Sequence, residues 1–307
     1  MPMLAPDLSE LERQRPYLLG VAYRMLGSAS DAEDVVQEAL LRASGAGELR
    51  TPRAYLTTVV TRLCLDELRS ARRRRVDYVG PWLPEPLLTT GLDAAEGDGP
   101  EHKENVSLAF LLLLEQLSPL ERAAFVLREV FDLEFREIAE ALGRREAACR
   151  KLLSRARIHL ESRRDRAPAP ASAQLAVAGA FLAALGSGDL NQVVKLLADD
   201  VISTTDHGGK ASAAQKPVQG SDRVARFFVG LSAKAQRASI GLVWQAAFVN
   251  GAPALLVKHP DGRLETALVL RITDHPTGAR ISAIQAIRNP DKLHALRAGL
   301  TLGGSAL

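Results

Sequence analysis

The stretch Phe135–His159, FREIAEALGRREAACRKLLSRARIH, constrains the fold more than any other part of the chain. Ile138, Ala139 and Leu142 fall at helical spacing before Gly143, and Ala148, Cys149, Leu152, Leu153 and Ala156 do so after it. Each half therefore has one face to bury. Gly143 can take the left-handed conformation that ends a helix, so the chain turns there and the second helix crosses the first. This predicts a helix-turn-helix. Its second helix is basic: between Gly143 and Arg166 there are nine Arg and Lys against three Asp and Glu, a local net charge of +6. Cations along one helix face can follow a phosphate backbone while the first turns reach base edges. The candidate DNA-facing side chains are Arg145, Glu146, Arg150, Lys151, Ser154 and Arg155. An ordinary helical hairpin with a solvated basic face has the same pattern.

A chain of 307 residues exceeds one domain of about 100–200 residues. The 47% hydrophobic content is enough for more than one core. The overall charge of +3 conceals an uneven distribution, since Pro81 to Leu117 carries only Lys103 against seven Asp and Glu. Cys64 and Cys149 sit inside helical patterns without metal-ligand spacing, and read as small core residues in a reducing compartment. No metal site, cofactor motif or catalytic constellation is expected. Leu108–Leu114, the longest apolar run, is far short of the roughly 20 residues that span a bilayer. The start MPMLAPDLSELERQR lacks the basic and apolar regions of an export signal, so a cytoplasmic protein without membrane contact is expected.

Before the helix-turn-helix, Arg15–Leu26 places Leu18, Ala22 and Leu26 on one stripe. Ser30 to Glu33 reads as a capping box opening a helix to Ala43, with Val35, Val36, Ala39 and Leu40 inward. Its other face presents Asp31, Asp34, Gln37 and Glu38; acids in a first turn also suit the helix dipole. After a small-residue loop, Arg53–Arg75 is helical, with Tyr55, Leu56, Val59, Leu63 and Leu68 inward, and ends in Arg69, Arg72, Arg73, Arg74 and Arg75. That density exceeds what helix capping needs and points to a polyanion. VGPWLPEP, residues 79–86, must be extended, because Pro81, Pro84 and Pro86 remove backbone donors. Trp82, a large apolar group on a stiff segment, should dock on a neighbouring domain. Ser118 to Glu121 is a second capping box, opening a helix whose Leu120, Ala124, Leu127 and Phe131 should pack on the helix-turn-helix.

The character changes after the Pro-Ala linker at 167–172. Helices are expected at Ala173–Leu185, Asn191–Leu197 and Arg223–Leu231, followed by strands at 240–248, 254–258, 264–272 and 280–288. Asn250-Gly251 and Asp261-Gly262 are hairpin signals between them. Helices followed by an antiparallel sheet make an α+β domain with a curved sheet.

Tyr17–Ala43 with DAEDVVQEAL, the basic helix ending at Arg75, and SPLER…FREIAEALGR…SRAR resemble regions 2 and 4 of bacterial sigma-70 factors. The absence of a third helical region between them resembles the extracytoplasmic-function group. YVGPWLPEP, Asp206-His-Gly-Gly-Lys210 and Asn289-Pro-Asp-Lys-Leu293 are similar to signatures of the subgroup with a C-terminal SnoaL-like domain. The resemblance implies a multidomain protein. Two all-α sigma domains, region 2 at 1–77 and a region 4 helix-turn-helix at 104–166, are joined by an extended acidic linker at 78–103. A short linker at 167–172 then leads to an α+β SnoaL/NTF2-like domain at 173–307.

It further implies an initiation factor whose partners are core RNA polymerase and promoter DNA, both duplex and melted strand. Asp31, Asp34, Gln37 and Glu38 would engage the clamp coiled coil of the largest subunit. The helix ending at Arg75 would meet the minus-ten element, and Phe135–His159 the minus-thirty-five element. In the family such a connector runs toward the RNA exit path. Pro81, Trp82, Pro84 and Pro86 would dock on a surface carrying Asp206, Gly208, Gly209, Lys210, Asn289, Pro290, Asp291 and Lys292. The C-terminal domain would then regulate in cis, with no separate anti-sigma partner required. Its fold leaves room for a small-molecule ligand. The family's DGGGK has His207 in place of its first glycine here, which leaves the backbone less free. Asp206, His207, His259, Glu265 and Arg271 are available for acid or base work, but no spacing joins a nucleophile to a base. A one-component helix-turn-helix regulator with a ligand pocket, and an enzyme with a helical targeting module, are the rival readings.

Overall fold

The computed structural model describes residues 8–47, 49–89, 107–161, 166–238 and 241–299, without the side chains of 71–76. The chain divides into two units, one built from Met1–Asp77 and Leu108–Arg164, the other from Tyr78–Ser107 and Asp165–Leu300.

The first unit is helical. Helix α1 is Leu8–Glu12, α2 is Arg15–Leu26, α3 is Ala29–Ser44 and α4 is Pro52–Val76. After the second unit's first segment come α5, Leu108–Leu114, and α6, Pro119–Phe125, which runs on through a π-helical turn at Val126–Val130. The helix-turn-helix follows as α7, Phe135–Leu142, and α8, Glu146–Glu161. Gly143 ends α7 in the left-handed region at φ 61° and ψ 40°. Ile138, Ala141 and Leu142 of α7 pack with Cys149, Leu153 and Ala156 of α8, all buried. The Ser118 capping box forms in both directions, with Glu121 Oε2 accepting from Ser118 N at 3.1 Å and Ser118 Oγ accepting from Glu121 N. Burial of the Glu121 carboxyl pushes its pKa up, but the Ser118 hydrogen bonds together with the nearby His159 and Arg155 bring it below its ordinary value.

Three expectations are corrected here. The cap of α3 is Ser28, whose Oγ accepts from Asp31 N at 3.2 Å, so the helix starts earlier than a Ser30–Glu33 box allows. In α4 the buried apolar positions are Leu56, Val60, Cys64, Leu65 and Leu68, with Thr57 and Thr61 buried beside them; Tyr55, Val59 and Leu63 are half-buried, because the buried stripe lies about one residue further round the helix. Phe131 does not pack on the helix-turn-helix. The π turn widens the helix and delivers its ring to α2, edge-on to Tyr17 at 5.1 Å and beneath the Arg24 guanidinium at 5.2 Å.

The second unit is α+β. Its first strand, β1 (Leu88–Thr89), belongs to the connector. Then come α9 (Ala171–Ser187), α10 (Leu190–Leu196), β2 (Leu197–Asp206), β3 (Val218–Gln219), α11 (Ser221–Arg237), β4 (Val243–Val249), β5 (Ala252–Lys258), β6 (Leu264–Thr273), β7 (Arg280–Ile287) and the short α12 (His294–Arg297). The strand order is β1-β4-β5-β6-β7-β2-β3. Asn250 at φ 51° and Gly251 at φ 68° form the two-residue hairpin between β4 and β5. The sheet is antiparallel except where β2 pairs with β7. That strand is absent from the helices-then-sheet expectation, because LADDVISTTD lacks the apolar alternation of the later strands. Residues 167–170 are also less of a linker than their composition implies: Ala169 N donates to Ile272 O at 3.1 Å, and Arg166 grips Asp200 with both terminal nitrogens at 2.8 and 3.0 Å.

Alternate strand residues point to opposite faces. One face, with Leu255, Leu268, Leu270, Ile272 and Ile284, packs on Phe181, Leu185, Val193, Val224 and Phe228 of the helices. The other face, with Val249, Ala254, Leu256, Ala267, Val269 and Ile287, is buried as well. Asp206 lies on this second face, in register with Ile287, and there it meets the connector.

Candidate nucleic-acid and polymerase interfaces

Helix α8 presents the residues that a reader of duplex DNA needs. Cys149, Leu153 and Ala156 are turned inward, whereas Ala148, expected on the buried face, is exposed at the first turn and Ile158 is exposed near the end; Arg145 just before the helix and Glu146, Arg150, Lys151, Ser154 and Arg155 on it are exposed. Arg150 pairs with Glu146 at 3.1 Å and lies 4.4 Å over the Phe135 ring, which holds its stem along the helix. Arg144, Arg145 and Lys151 line an open cleft beside Gly143 at the turn. On α3, Asp34, Gln37 and Glu38 are exposed and Asp31 is half-buried; Glu38 bonds Arg42 at 2.7 Å. Leu41, one turn further on, is 61% exposed and gives this acidic face an apolar edge. On α4, Arg69 is exposed and bonds Asp66 at 2.9 Å. Arg72, Arg73, Arg74 and Arg75 lie on the last turns of α4, but their side chains are outside the described residues.

The predicted docking residues come together around Asp206, which is fully buried. Its Oδ1 accepts from the Tyr78 hydroxyl at 2.5 Å, and its Oδ2 accepts from Leu83 N at 2.8 Å and Lys292 Nζ at 2.7 Å. Its carbonyl accepts from Arg288 N and Asn289 N. Asn289 Nδ2 donates to the Tyr78 oxygen at 3.0 Å. Lys292 also donates to Leu83 O and stands 4.2 Å over Trp82. Lys210 pairs with Asp291 beside this group. A buried carboxylate is costly unless it is paired and fully hydrogen-bonded, and here each oxygen has a partner. Burial, and then the bond to Asp206, push the Tyr78 phenol above its ordinary pKa.

Connector residues Leu83, Pro84, Glu85, Pro86 and Leu87 are buried, while Pro81, Trp82 and Pro290 are half-buried. Asn250 N donates to Leu87 O and its Oδ1 accepts from Leu87 N, so the hairpin turn holds the connector where β1 joins β4. The glycines permit the approach. A Cβ on Gly208 would fall 2.4 Å from Asn289 Nδ2, and one on Gly80 would fall 2.4 Å from His207 Nε2. His207 is itself buried, with Nδ1 accepting from Gly209 N at 3.0 Å and Nε2 lacking a partner among the described residues.

Of the groups considered for acid or base work, His259 and Glu265 do meet, at 3.3 Å, and Arg288 also pairs with Glu265. Sequence spacing missed that pair because it joins the end of β5 to the start of β6. Among the described residues no three His, Cys, Asp or Glu are grouped to hold a metal, and no helix is long and apolar enough to cross a membrane.

Residues 11–74 match the Sigma-70 region 2 family and residues 107–160 match Sigma-70 region 4. The chain is 44% identical over 297 residues to the ECF RNA polymerase sigma factor SigJ of Mycobacterium tuberculosis, covering 93% of each chain. It belongs to the extracytoplasmic-function sigma factors. The probable ECF sigma factor SigI of the same organism is 34% identical to this sigma factor over 293 residues, covering 93% of this chain and 94% of that one. The crystal structure of M. tuberculosis SigJ matches with a TM-score of 0.72 at 39% identity, covering 94% of this chain and 99% of that one. As an alternative sigma factor it works with RNA polymerase in promoter-specific initiation, and all but the last residues of α4 and α8 fall inside the matched regions.

Sequence reasoning missed the contacts inside the helical unit of the sigma factor. Arg62 of α4 donates to Glu140 O at 2.9 Å and Ala141 O at 3.3 Å, at the end of α7, where Glu140 O also accepts from Gly143 N. Arg122 of α6 donates to Met25 O at 2.7 Å and pairs with Glu115 at 2.7 Å. Isolated Arg residues within helices have no local signal for such roles.

Proposed function

We propose that this sigma factor binds core polymerase through the α3 face of Asp31, Asp34, Gln37 and Glu38, and reads promoter DNA with two basic elements. Residues 1–77 serve as region 2, with Arg69 and Arg72–Arg75 toward the melted minus-ten strand. Residues 104–166 serve as region 4, with Arg145, Glu146, Arg150, Lys151, Ser154 and Arg155 on duplex DNA. Cations facing both forms of DNA agree with the exposure of these side chains on α8 and of Arg69. The site of action is the cytoplasm, with the polymerase.

The domain at 173–307 restrains initiation in cis by holding the connector. The Asp206 group carries this reading. It buries Leu83, Glu85 and Leu87, and a connector covered in this way cannot also lie along a channel of the polymerase. The domain thus occupies the place of a separate anti-sigma partner.

The test is reconstituted transcription with core polymerase on DNA selected by binding, comparing the full chain with Asp206→Asn, Trp82→Ala and a chain ending at Arg166. Initiation at one defined start site, raised several-fold in the variants, is the expected result. Equal initiation from all four overturns the regulatory part, and lower initiation from the variants reverses its sign. Absence of initiation from every form, alongside salt-dependent duplex binding by the protein alone, overturns the assignment of these residues to polymerase.

A further inference from the structure

Between its helices and the sheet, the C-terminal domain is filled. Phe181 and Phe228 meet edge to face at 6.1 Å within a core that includes Leu255, Leu268 and Leu270. A cavity opens at the rim, where α9, α11 and the start of β4 diverge. The cavity there has a volume of about 700 Å³ and is lined by Leu182 and Leu185 of α9, Ser232 and Gln236 of α11, and Leu242 and Trp244. That volume falls in the range of small-molecule sites, about 300–1,000 Å³.

The wall selects against charge. None of the described lining residues is charged, so an ionic ligand would meet no counter-ion on this wall. The polar groups are few and mostly acceptors: Ser232 Oγ donates to Leu185 O at 3.0 Å and Gln236 Nε2 donates to Gly186 O at 3.3 Å. This leaves the hydroxyl lone pairs and the amide oxygen of Gln236 to accept. Trp244 adds an aromatic wall. The Asp206 group, His207, His259, Glu265 and Arg271 are not part of the lining.

We propose that this cavity binds a neutral, mostly apolar aromatic or polycyclic molecule that presents a hydrogen-bond donor to Ser232 and Gln236. The assignment stands apart from the regulatory reading of the connector. The two features nevertheless share a strand: β4 brings Trp244 to the cavity and, at its other end, pairs Phe248 and Val249 with Thr89 and Leu88 of the connector.

The experiment is a fluorescence titration of the full chain with N-phenyl-1-naphthylamine, whose single N–H is a donor, and with its sulfonated analogue 1-anilinonaphthalene-8-sulfonate. The neutral probe should bind saturably at one site and at least about tenfold more tightly than the anion, since the wall offers the sulfonate no counter-ion. Gly186→Phe should abolish the site. Gly186 lines the cavity, and a Cβ on it meets no atom within 4 Å, so the position has room for a larger side chain at the cavity wall. A melting curve of Gly186→Phe checks this, and Ala235→Trp provides a second filling variant at the same wall. No saturable binding, equal or tighter binding of the sulfonate, or unchanged binding in both filled variants overturns the proposal.

Discussion

Two seams hold this sigma factor together, and they are built from different chemistry. Between regions 2 and 4, the polar bonds run from guanidinium groups to main-chain carbonyls: Arg62 to Glu140 and Ala141, Arg122 to Met25. Between the connector and the C-terminal domain, a buried carboxylate faces a lysine only 13% exposed, a phenol and a backbone N–H. An exposed guanidinium such as Arg62 can exchange a carbonyl for water at small cost, whereas opening the second seam strips partners from a buried charge. The difference is sharpest at Arg62, since Arg122 in the first seam is itself buried beside Glu115. Arg62 therefore ties α7 to α4 only weakly. The connector parts from its domain only when something supplies new partners for what it leaves behind.

Asp206→Asn is the strongest test of that contrast. It leaves Lys292 without its counter-ion and should destabilise the second unit by about 3–5 kcal/mol, read by chemical denaturation and by faster proteolysis within residues 78–89. A change below about 1 kcal/mol would erase the distinction between the seams.

Gly80→Ala should cost about 2 kcal/mol by the same measurements. Gly80 sits at φ +85°, and the added methyl meets His207 Nε2 at 2.4 Å. A Gly80→Ala/His207→Gly double variant removes the clash but keeps the backbone strain, so it should recover part of the loss. Full recovery would show that backbone conformation contributes nothing at this position.

The Tyr78 hydroxyl predicts a pH dependence for one seam alone. Its pKa is raised above the free value of 10.0, by burial first and by Asp206 second. A raised pKa means that the docked state keeps the proton. Connector docking is therefore at full strength below pH 10 and weakens as pH climbs past it. Proteolysis within 78–89 should accelerate from pH 9 to 11 in the natural chain, and Tyr78→Phe should remove that dependence.

The smallest effect is expected at the first seam. Arg62→Ala loses two partly exposed bonds and should lower stability by about 1 kcal/mol or less. It should nevertheless increase the distance between fluorophores placed on α3 and α8. A loss as large as that of Asp206→Asn would make the two seams equivalent.

Much of the fold was legible because its signals are short. Gly143 ends α7, Ser118 and Glu121 cap each other three residues apart, and Asn250-Gly251 makes a hairpin because these two residues accept positive φ. The exposed face of α8 follows from helical periodicity for the same reason. The connector's destination was legible only through resemblance. Where local signals competed, the reading slipped: Ser28 displaced Ser30 as the cap of α3, and a π turn redirected Phe131. Strand β2 was missed because its place between β7 and β3 depends on partners far away in sequence.

The sequence by itself determined most of the helices, the Ser118 cap and the Gly143 stop, the basic and acidic faces and the extended character of residues 79–86, since each depends on neighbours within a turn or two. Only the tertiary structure decided that Asp206 would lie between Tyr78, 128 residues before it, and Lys292, 86 residues after it. No local rule pairs groups at such separations. Their meeting depends on β2 entering the sheet beside β7, which carries Asp206 to the buried second face where the connector lies.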